Sequence, residues 1–173
     1  MKLATGINVA PLLFQLALNK PLWDRTHIDA AWKAHHPEIE VYEILIRYPE
    51  GDESDDTSAV WKPSAALLPA ARDIALLAMA NVKGEQLGRV VLTRLAPGKV
   101  IYPHADTVGA YSAFYRRFHV PIQSSDKVVF ACGDERIAMD PGCLYWFDHS
   151  EVHTIENRGD EDRINLIIDV RIS

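Results

Sequence analysis

The part of the chain after residue 86 most constrains the fold, because it is a close succession of short β-rich runs. Roughly eight runs are separated by Gly, Pro, Asp and Asn, with no helical periodicity between them. They read GRVVLTRLAPG, KVIYPHAD, FYRRFHVPI, KVVFACG, DERIAMDPG, CLYWFD, EVHTIENRG and DRINLIIDVRIS. Parallel strands need long crossovers, whereas antiparallel strands follow one another through short turns. The pattern therefore predicts a mainly β fold, a double-stranded β-helix of the jelly-roll or cupin-like kind.

Helical character is confined to the first half of the chain. An apolar run near residues 12–18 predicts a packed helix, and residues 24–36 predict a short one. Residues 68–84 predict a stronger helix, with Pro69 in its first turn and Gly84 just past its end. We expect a single domain over 1–173, in which residues 1–86 support a barrel core of residues 87–173 that carries the metal site.

Composition narrows the classes of partner. Hydrophobic residues make up 48% and charged residues 24% of the 173-residue chain, as in ordinary globular proteins. A net charge of −6 and the lack of a Lys/Arg run argue against a nucleic-acid partner. The N-terminal apolar run is too short for a membrane span and has no convincing cleavage site. We expect a cytoplasmic protein with a small-molecule or peptide substrate, and its oligomeric state stays open.

The segment PHAD contains the first candidate metal ligands. His104 and Asp106 are two residues apart, so on a strand both side chains project from one face. His153 follows 49 residues later on a different predicted strand. Two imidazoles and one carboxylate on one face of an ion form the facial triad of non-haem Fe(II) oxygenases. The alternatives are a structural His104, an Asp106 that caps a turn, and His149 as the second histidine ligand.

Arg163 opens the last predicted strand, ten residues after His153. Its planar guanidinium can bind a carboxylate through two parallel hydrogen bonds. A dicarboxylate that chelates iron at one end and pairs with arginine at the other would use the triad and Arg163 together. The alternative is a surface ion pair between Arg163 and Asp160 or Glu161.

Four segments together resemble a known family in order and spacing: VVLTRLAPGKVIYPHAD, RRFHVPI, PGCLYWFD and EVHTIENRGDEDRINLIIDV. This is the aspartyl/asparaginyl β-hydroxylase family of 2-oxoglutarate-dependent dioxygenases, and the resemblance covers roughly residues 88–170. It implies that His104 and His153 bind iron. The best-known vertebrate members have glycine in place of the carboxylate ligand, so Asp106 makes this chain more similar to the bacterial branch, which includes hydroxylases of free amino acids. We expect a three-ligand site.

The resemblance also implies how the co-substrate is bound. Arg163 matches the arginine that grips the distal carboxylate of 2-oxoglutarate, and Thr93 matches a hydroxyl residue that assists it. Arg117 and His119 match an Arg-x-His pair near the metal-chelating end of the co-substrate, although such a pair can also be a buried structural network.

The expected reaction is hydroxylation of an unactivated C–H of an amino acid, free or in a peptide. It uses Fe(II), 2-oxoglutarate and O₂ and releases succinate and CO₂, with His104, Asp106 and His153 as the metal-binding and catalytic residues. Two alternatives remain: a cupin-type metalloenzyme that does not use 2-oxoglutarate, and a non-catalytic jelly-roll binding module.

Overall fold

A computed structural model describes residues 1–24, 41–50, 59–106 and 114–172. The strands within these ranges are β1 (Lys2–Ala4), β2 (Val41–Tyr48), β3 (Val60–Trp61), β4 (Gln86–Leu95), β5 (Val100–His104), β6 (Arg116–Gln123), β7 (Val128–Cys132), β8 (Glu135–Ile137), β9 (Leu144–Trp146), β10 (His153–Asn157) and β11 (Arg163–Arg171). The helices are α1 (Ala10–Leu18), α2 (Ser64–Leu67) and α3 (Pro69–Asn81), and a 3₁₀ turn covers Lys20–Asp24. Each of the eight predicted β-rich runs contains one strand of β4–β11. The predicted helix at 24–36 lies outside the described residues beyond Asp24.

The strands form two antiparallel sheets. The larger has the order β1-β9-β6-β11-β4-β2-β3, and the smaller has the order β5-β10-β7-β8. Apolar side chains from both sheets, among them Leu95 and Tyr145 of the larger and Phe130 and Ile155 of the smaller, share one buried cluster. The two sheets therefore face each other across a common interior, as a double-stranded β-helix requires.

Helices α1 and α3 cover the outer face of the larger sheet. Leu12 and Ile74 of these helices belong to the same buried cluster as Leu166 of β11. Helix α3 ends as the sequence predicts, because the Gly84 amide donates to the Met79 carbonyl at 2.9 Å. A Cβ at Gly84 would collide with the side chain of Val170, so glycine allows the end of the helix to pack directly on β11.

Strict alternation along β11 separates the helix-facing side from the barrel interior. Ile164, Leu166, Ile168 and Val170 belong to the helix-facing cluster. Since successive side chains of a strand point to opposite faces, the residues between them face the interior. This places Arg163, Asn165 and Asp169, all buried, inside the barrel. In the ladder, Asn165 pairs with Thr93 of β4, and Asp169 pairs with Arg117 of β6. The larger sheet therefore lines the interior with polar side chains.

Candidate metal centre and adjacent polar pocket

Strands β5 and β10 bring the candidate metal ligands together. His104 and His153 are directly paired in the ladder, and Asp106 follows two residues after His104. The donor atoms of the three residues lie within 4.8 Å of one another. The Nε2 of His104 is 3.6 Å from Asp106 Oδ1, and the Nε2 of His153 is 3.8 Å from Asp106 Oδ2. Residues far apart in sequence thus form a compact cluster of two imidazoles and one carboxylate.

Hydrogen bonds to main-chain carbonyls fix both rings. The Nδ1 of His104 lies 2.8 Å from the Tyr102 carbonyl oxygen, and the Nδ1 of His153 lies 2.9 Å from the Glu151 carbonyl oxygen. A carbonyl only accepts, so each Nδ1 carries the hydrogen and each Nε2 presents its lone pair to the cluster. Burial lowers the pKa of His153 below its usual 6.5, which favours the neutral ring that a metal binds.

Asp106 is held as an anion beside these rings. Burial alone would raise the pKa of its carboxyl group, but the charge of Arg117, the neighbouring His153 and His104 and the hydrogen bond from Arg117 outweigh burial and lower the pKa below its usual value. Arg117 Nη1 donates to Asp106 Oδ2 at 2.6 Å. The Asp106 amide donates to the His149 carbonyl oxygen at 2.8 Å, which secures the main chain at this point.

The chemistry of this donor set fits an iron ion. Imidazole and carboxylate are ligands that Fe(II) accepts, and three of them on one side leave its other positions open. The orientation of both rings by carbonyl groups is the arrangement usual around metal-bound histidines. Among the described residues, His149 is not part of the cluster, so the structure favours His153 over this alternative.

Arg163 is a buried cation without a carboxylate partner in the described part of the chain. Its side chain is buried, and burial is the sole cause that lowers its pKa, to about 10. The group nevertheless remains charged at neutral pH. Asp160, one of the two surface partners considered for Arg163, instead pairs with Lys127 at 2.8 Å. A buried guanidinium is costly unless an anion binds to it, so Arg163 has the charge and burial that favour binding of a carboxylate.

His119 and Asn165 lie on the same interior face as Arg163 and contact each other. Asn165 Nδ2 is 3.0 Å from His119 Nδ1. An amide nitrogen only donates, so Nδ1 is the acceptor and the neutral ring carries its hydrogen on Nε2. Neither His119 Nε2 nor Asn165 Oδ1 has a hydrogen-bond partner among the described residues, although both are buried. Both atoms are therefore available to form a hydrogen bond with a polar ligand or with water.

His119 connects the arginine to the metal ligands. The charges of both Arg163 and His153 act on its ring. Phe147 packs between the two histidines, with its ring centroid 4.9 Å from that of His119 and 4.9 Å from that of His153. The polar side chains around His119 and the metal ligands therefore share one apolar wall, the ring of Phe147.

Thr93 and Arg117 lie on the two strands that pair with β11. The hydroxyl of Thr93 is buried 3.5 Å from the Asn165 carbonyl oxygen, on the strand next to β11. Arg117 donates to Asp106 and, through Nε and Nη2, to Asp169 at 2.8 and 3.1 Å. Neither this double ion pair nor the role of Asp169 is predicted by the sequence patterns.

Asn165 and Asp169 are two buried polar residues of β11 for which the sequence patterns predict no functional role. One sequence signal could have found both. Each lies an even number of residues after Arg163, so all three project from one face of a strand whose other residues up to Val170 are apolar. A polar residue on the buried face of a central strand needs a partner or a ligand. The alternation locates them, but it does not show what they contact.

Acidification should destabilise the fold partly through His119. Burial, followed by the charges of Arg163 and Arg117, holds the pKa of His119 well below 6.5. The unfolded chain therefore binds a proton first as the pH falls below about 6.5, and the free energy of unfolding falls with it. Denaturant unfolding of wild type and His119→Gln at about pH 7.5 and pH 5.5 tests this, and we expect a smaller loss in the variant. An equal loss would mean that other groups cause the acid sensitivity.

The comparisons with known proteins agree with this geometry. The family model described as aspartyl/asparaginyl β-hydroxylase matches residues 55–172. None of the curated protein sequences is significantly similar to the chain. None of the described helices combines the length and apolar character that a membrane crossing requires.

Three solved structures share the fold at low identity. One is a prolyl hydroxylase from Trichoplax adhaerens, in complex with a peptide fragment of the hypoxia inducible factor oxygen degradation domain, with a TM-score of 0.63, 10% identity and coverage of 94% of this chain and 77% of that chain. The second is an oxidoreductase of the 2OG-Fe(II) oxygenase family from Burkholderia pseudomallei, with a TM-score of 0.54, 14% identity and coverage of 90% and 77%. The third is AviO1 from Streptomyces viridochromogenes, with a TM-score of 0.55, 14% identity and coverage of 99% and 87%. They confirm the mainly β fold.

Proposed function

Since the chain belongs to the aspartyl/asparaginyl β-hydroxylase family, we propose that it is an Fe(II)- and 2-oxoglutarate-dependent dioxygenase that hydroxylates an unactivated C–H of an amino acid, free or in a peptide. One observation carries the proposal. A three-donor cluster with the composition of a facial triad shares the barrel interior with a buried arginine that has no carboxylate partner among the described residues.

In this proposal His104, Asp106 and His153 hold Fe(II). Their neutral rings and ionised carboxylate supply one negative charge, so the ion keeps part of its charge for the co-substrate. Bound iron and 2-oxoglutarate together supply the oxidising chemistry: one oxygen atom of O₂ enters the product alcohol, and the other enters succinate as CO₂ is released.

Polar side chains of the barrel interior can pair with the two ends of 2-oxoglutarate in this proposal. The distal carboxylate pairs with the Arg163 guanidinium, and Thr93, on the neighbouring strand, is the proposed hydroxyl donor to the same group. The Nε2–H of His119 is an available donor for the chelating end. Arg117 already donates to the metal ligand Asp106. In this proposal it therefore acts on the chelating end of 2-oxoglutarate from its position beside Asp106.

The substrate belongs to the class that the family name describes, an amino acid side chain. The Trichoplax prolyl hydroxylase holds a peptide, and the bacterial branch that this chain resembles includes hydroxylases of free amino acids, so both forms belong in the test. We infer that residues 87–173 carry the reaction and that residues 1–86 support them within one domain.

A turnover assay separates this proposal from its alternatives. The protein is loaded anaerobically with Fe(II), and 2-oxoglutarate, O₂ and a panel of free amino acids and short peptides are then added. We expect one succinate per hydroxylated product for at least one substrate. Metal binding without 2-oxoglutarate binding would favour a cupin-type enzyme of another kind. Binding of both without turnover over the whole panel would favour a non-catalytic module.

A further inference from the structure

A buried aspartate stands behind the metal-ligand carboxylate and is joined to it by one arginine. Asp169 is 1% exposed, and both of its carboxylate oxygens accept from Arg117, Oδ1 from Nε at 2.8 Å and Oδ2 from Nη2 at 3.1 Å. The remaining arm of the guanidinium, Nη1, donates to Asp106 Oδ2 at 2.6 Å. All three residues belong to one continuous hydrogen-bonded chain from β11 through β6 to the metal cluster.

The bidentate pair fixes the direction of the third arm. Because the guanidinium is planar, two hydrogen bonds to Asp169 set the plane of the group as well as its position. Arg117 and Asp169 are also direct neighbours in the β6–β11 ladder, so the main chain fixes their separation. Nη1 therefore points at one place, the position of Asp106 Oδ2.

The opposite charges of Arg117 and Asp169 also favour the binding of a cation at the cluster. An arginine next to a metal ligand competes with the metal for the carboxylate and repels the ion. Asp169 neutralises that arginine, so Arg117 and Asp169 together add no net charge beside the cluster. Asp106 keeps its negative charge, and its Oδ1 lies toward His104 while Oδ2 is engaged by Arg117.

We propose that Asp169 is a positioning residue of the metal centre: it holds and neutralises Arg117, which engages one oxygen of Asp106 and leaves the other for the metal. Single-oxygen ligation keeps more coordination positions open than chelation by both oxygens would. The inference rests on the proposed function, since it requires that Asp106 bind a metal.

The test measures metal affinity, with Co(II) as the probe because its visible absorption reports the number and geometry of its ligands. Asp169→Asn keeps the shape of the side chain and removes its charge. We expect Co(II) affinity to fall by about tenfold to a hundredfold, the usual effect of changing a residue that supports a metal ligand. Asp140→Asn, which removes an ion-paired carboxylate from the surface pair with Lys2, should leave Co(II) affinity within about twofold of wild type.

A double-mutant cycle distinguishes positioning from a merely structural role. If Asp169 acts mainly through Asp106, then Asp169→Asn should cause a clearly smaller loss of Co(II) affinity in an Asp106→Ala background than in the wild-type background. A full additional loss in that background would overturn the proposal, and so would wild-type affinity in a folded Asp169→Asn protein.

Arg117→Lys is the second variant, for the case that Asp169→Asn does not fold. Lysine keeps the charge but cannot bridge both carboxylates with a planar fork, so we expect a loss of Co(II) affinity of the same order. Unchanged affinity in Arg117→Lys would contradict the inference. Failure of the wild-type protein to bind Co(II) is a different result, because it would overturn the proposed function itself.

Discussion

Arg163→Ala is expected to weaken 2-oxoglutarate binding by about a hundredfold or more while Fe(II) affinity stays within about threefold of wild type. Removing one partner of a buried charged pair costs about 2–5 kcal/mol, and each 1.4 kcal/mol is a factor of ten. Arg163 has no carboxylate partner among the described residues, so its loss removes the anchor of the co-substrate without breaking an internal ion pair. Calorimetric titration of 2-oxoglutarate into the metal-loaded variant measures the effect.

Two further variants sharpen the Arg163 prediction. Arg158→Ala is the matched control, since this arginine is exposed and pairs with Glu156 on the surface, and we expect unchanged 2-oxoglutarate binding. Arg163→Met replaces a buried charge by an apolar side chain of similar length. Because an unpaired buried charge is costly, the ligand-free variant should unfold at the same temperature as wild type or higher, yet gain no stability from 2-oxoglutarate. An equal loss of iron and co-substrate binding in Arg163→Ala would show that Arg163 belongs to the metal centre instead.

Asp106→Ala is expected to have the second large effect, a loss of metal affinity greater than about a hundredfold. Changing a residue that only supports a ligand usually costs about tenfold to a hundredfold, and Asp106 is itself one of the three donors. Its removal also takes away the negative charge that the cluster presents to a metal ion, since Arg117 and Asp169 neutralise each other. Metal content after anaerobic loading and desalting, together with a Co(II) titration, measures the loss.

Asp148→Ala provides the control for Asp106. Asp148 is an exposed aspartate in the loop before β10, and its Oδ1 accepts from Ser150. Its replacement should leave the metal content unchanged, whereas Asp106→Ala should be largely metal-free. Full retention of iron in Asp106→Ala would mean that the two histidines suffice, as in the vertebrate members that carry glycine at this position.

Local periodicity was enough to predict the mainly β fold and the shared strand face of His104 and Asp106. The change from helical to period-2 patterning at residue 86 marks the start of β4, and Gln86–Leu95 forms that strand. The same alternation predicts that the side chains of His104 and Asp106 lie close together, as they do in the structure. Each of these predictions needs the geometry of a single strand, which the sequence shows directly.

The contacts that the interior side chains make with one another depend on the register between strands. The sequence does not show this register, so these contacts could not be predicted. Arg117 and Asp169 lie 52 residues apart and meet because β6 and β11 pair in one particular register. A shift by one residue would turn either side chain toward the helices. For the same reason the contact between Asn165 and His119 is visible only in the folded protein, where β11 and β6 are neighbours.

The most direct test of the Fe(II)/2-oxoglutarate site is an anaerobic titration of 2-oxoglutarate into the Fe(II)-loaded protein, with bound iron and bound co-substrate measured on the same sample. We expect one iron and one 2-oxoglutarate per chain, with binding of 2-oxoglutarate much weaker in Arg163→Ala at equal iron content. A protein that retains iron through His104, Asp106 and His153 but binds no 2-oxoglutarate would contradict the proposal.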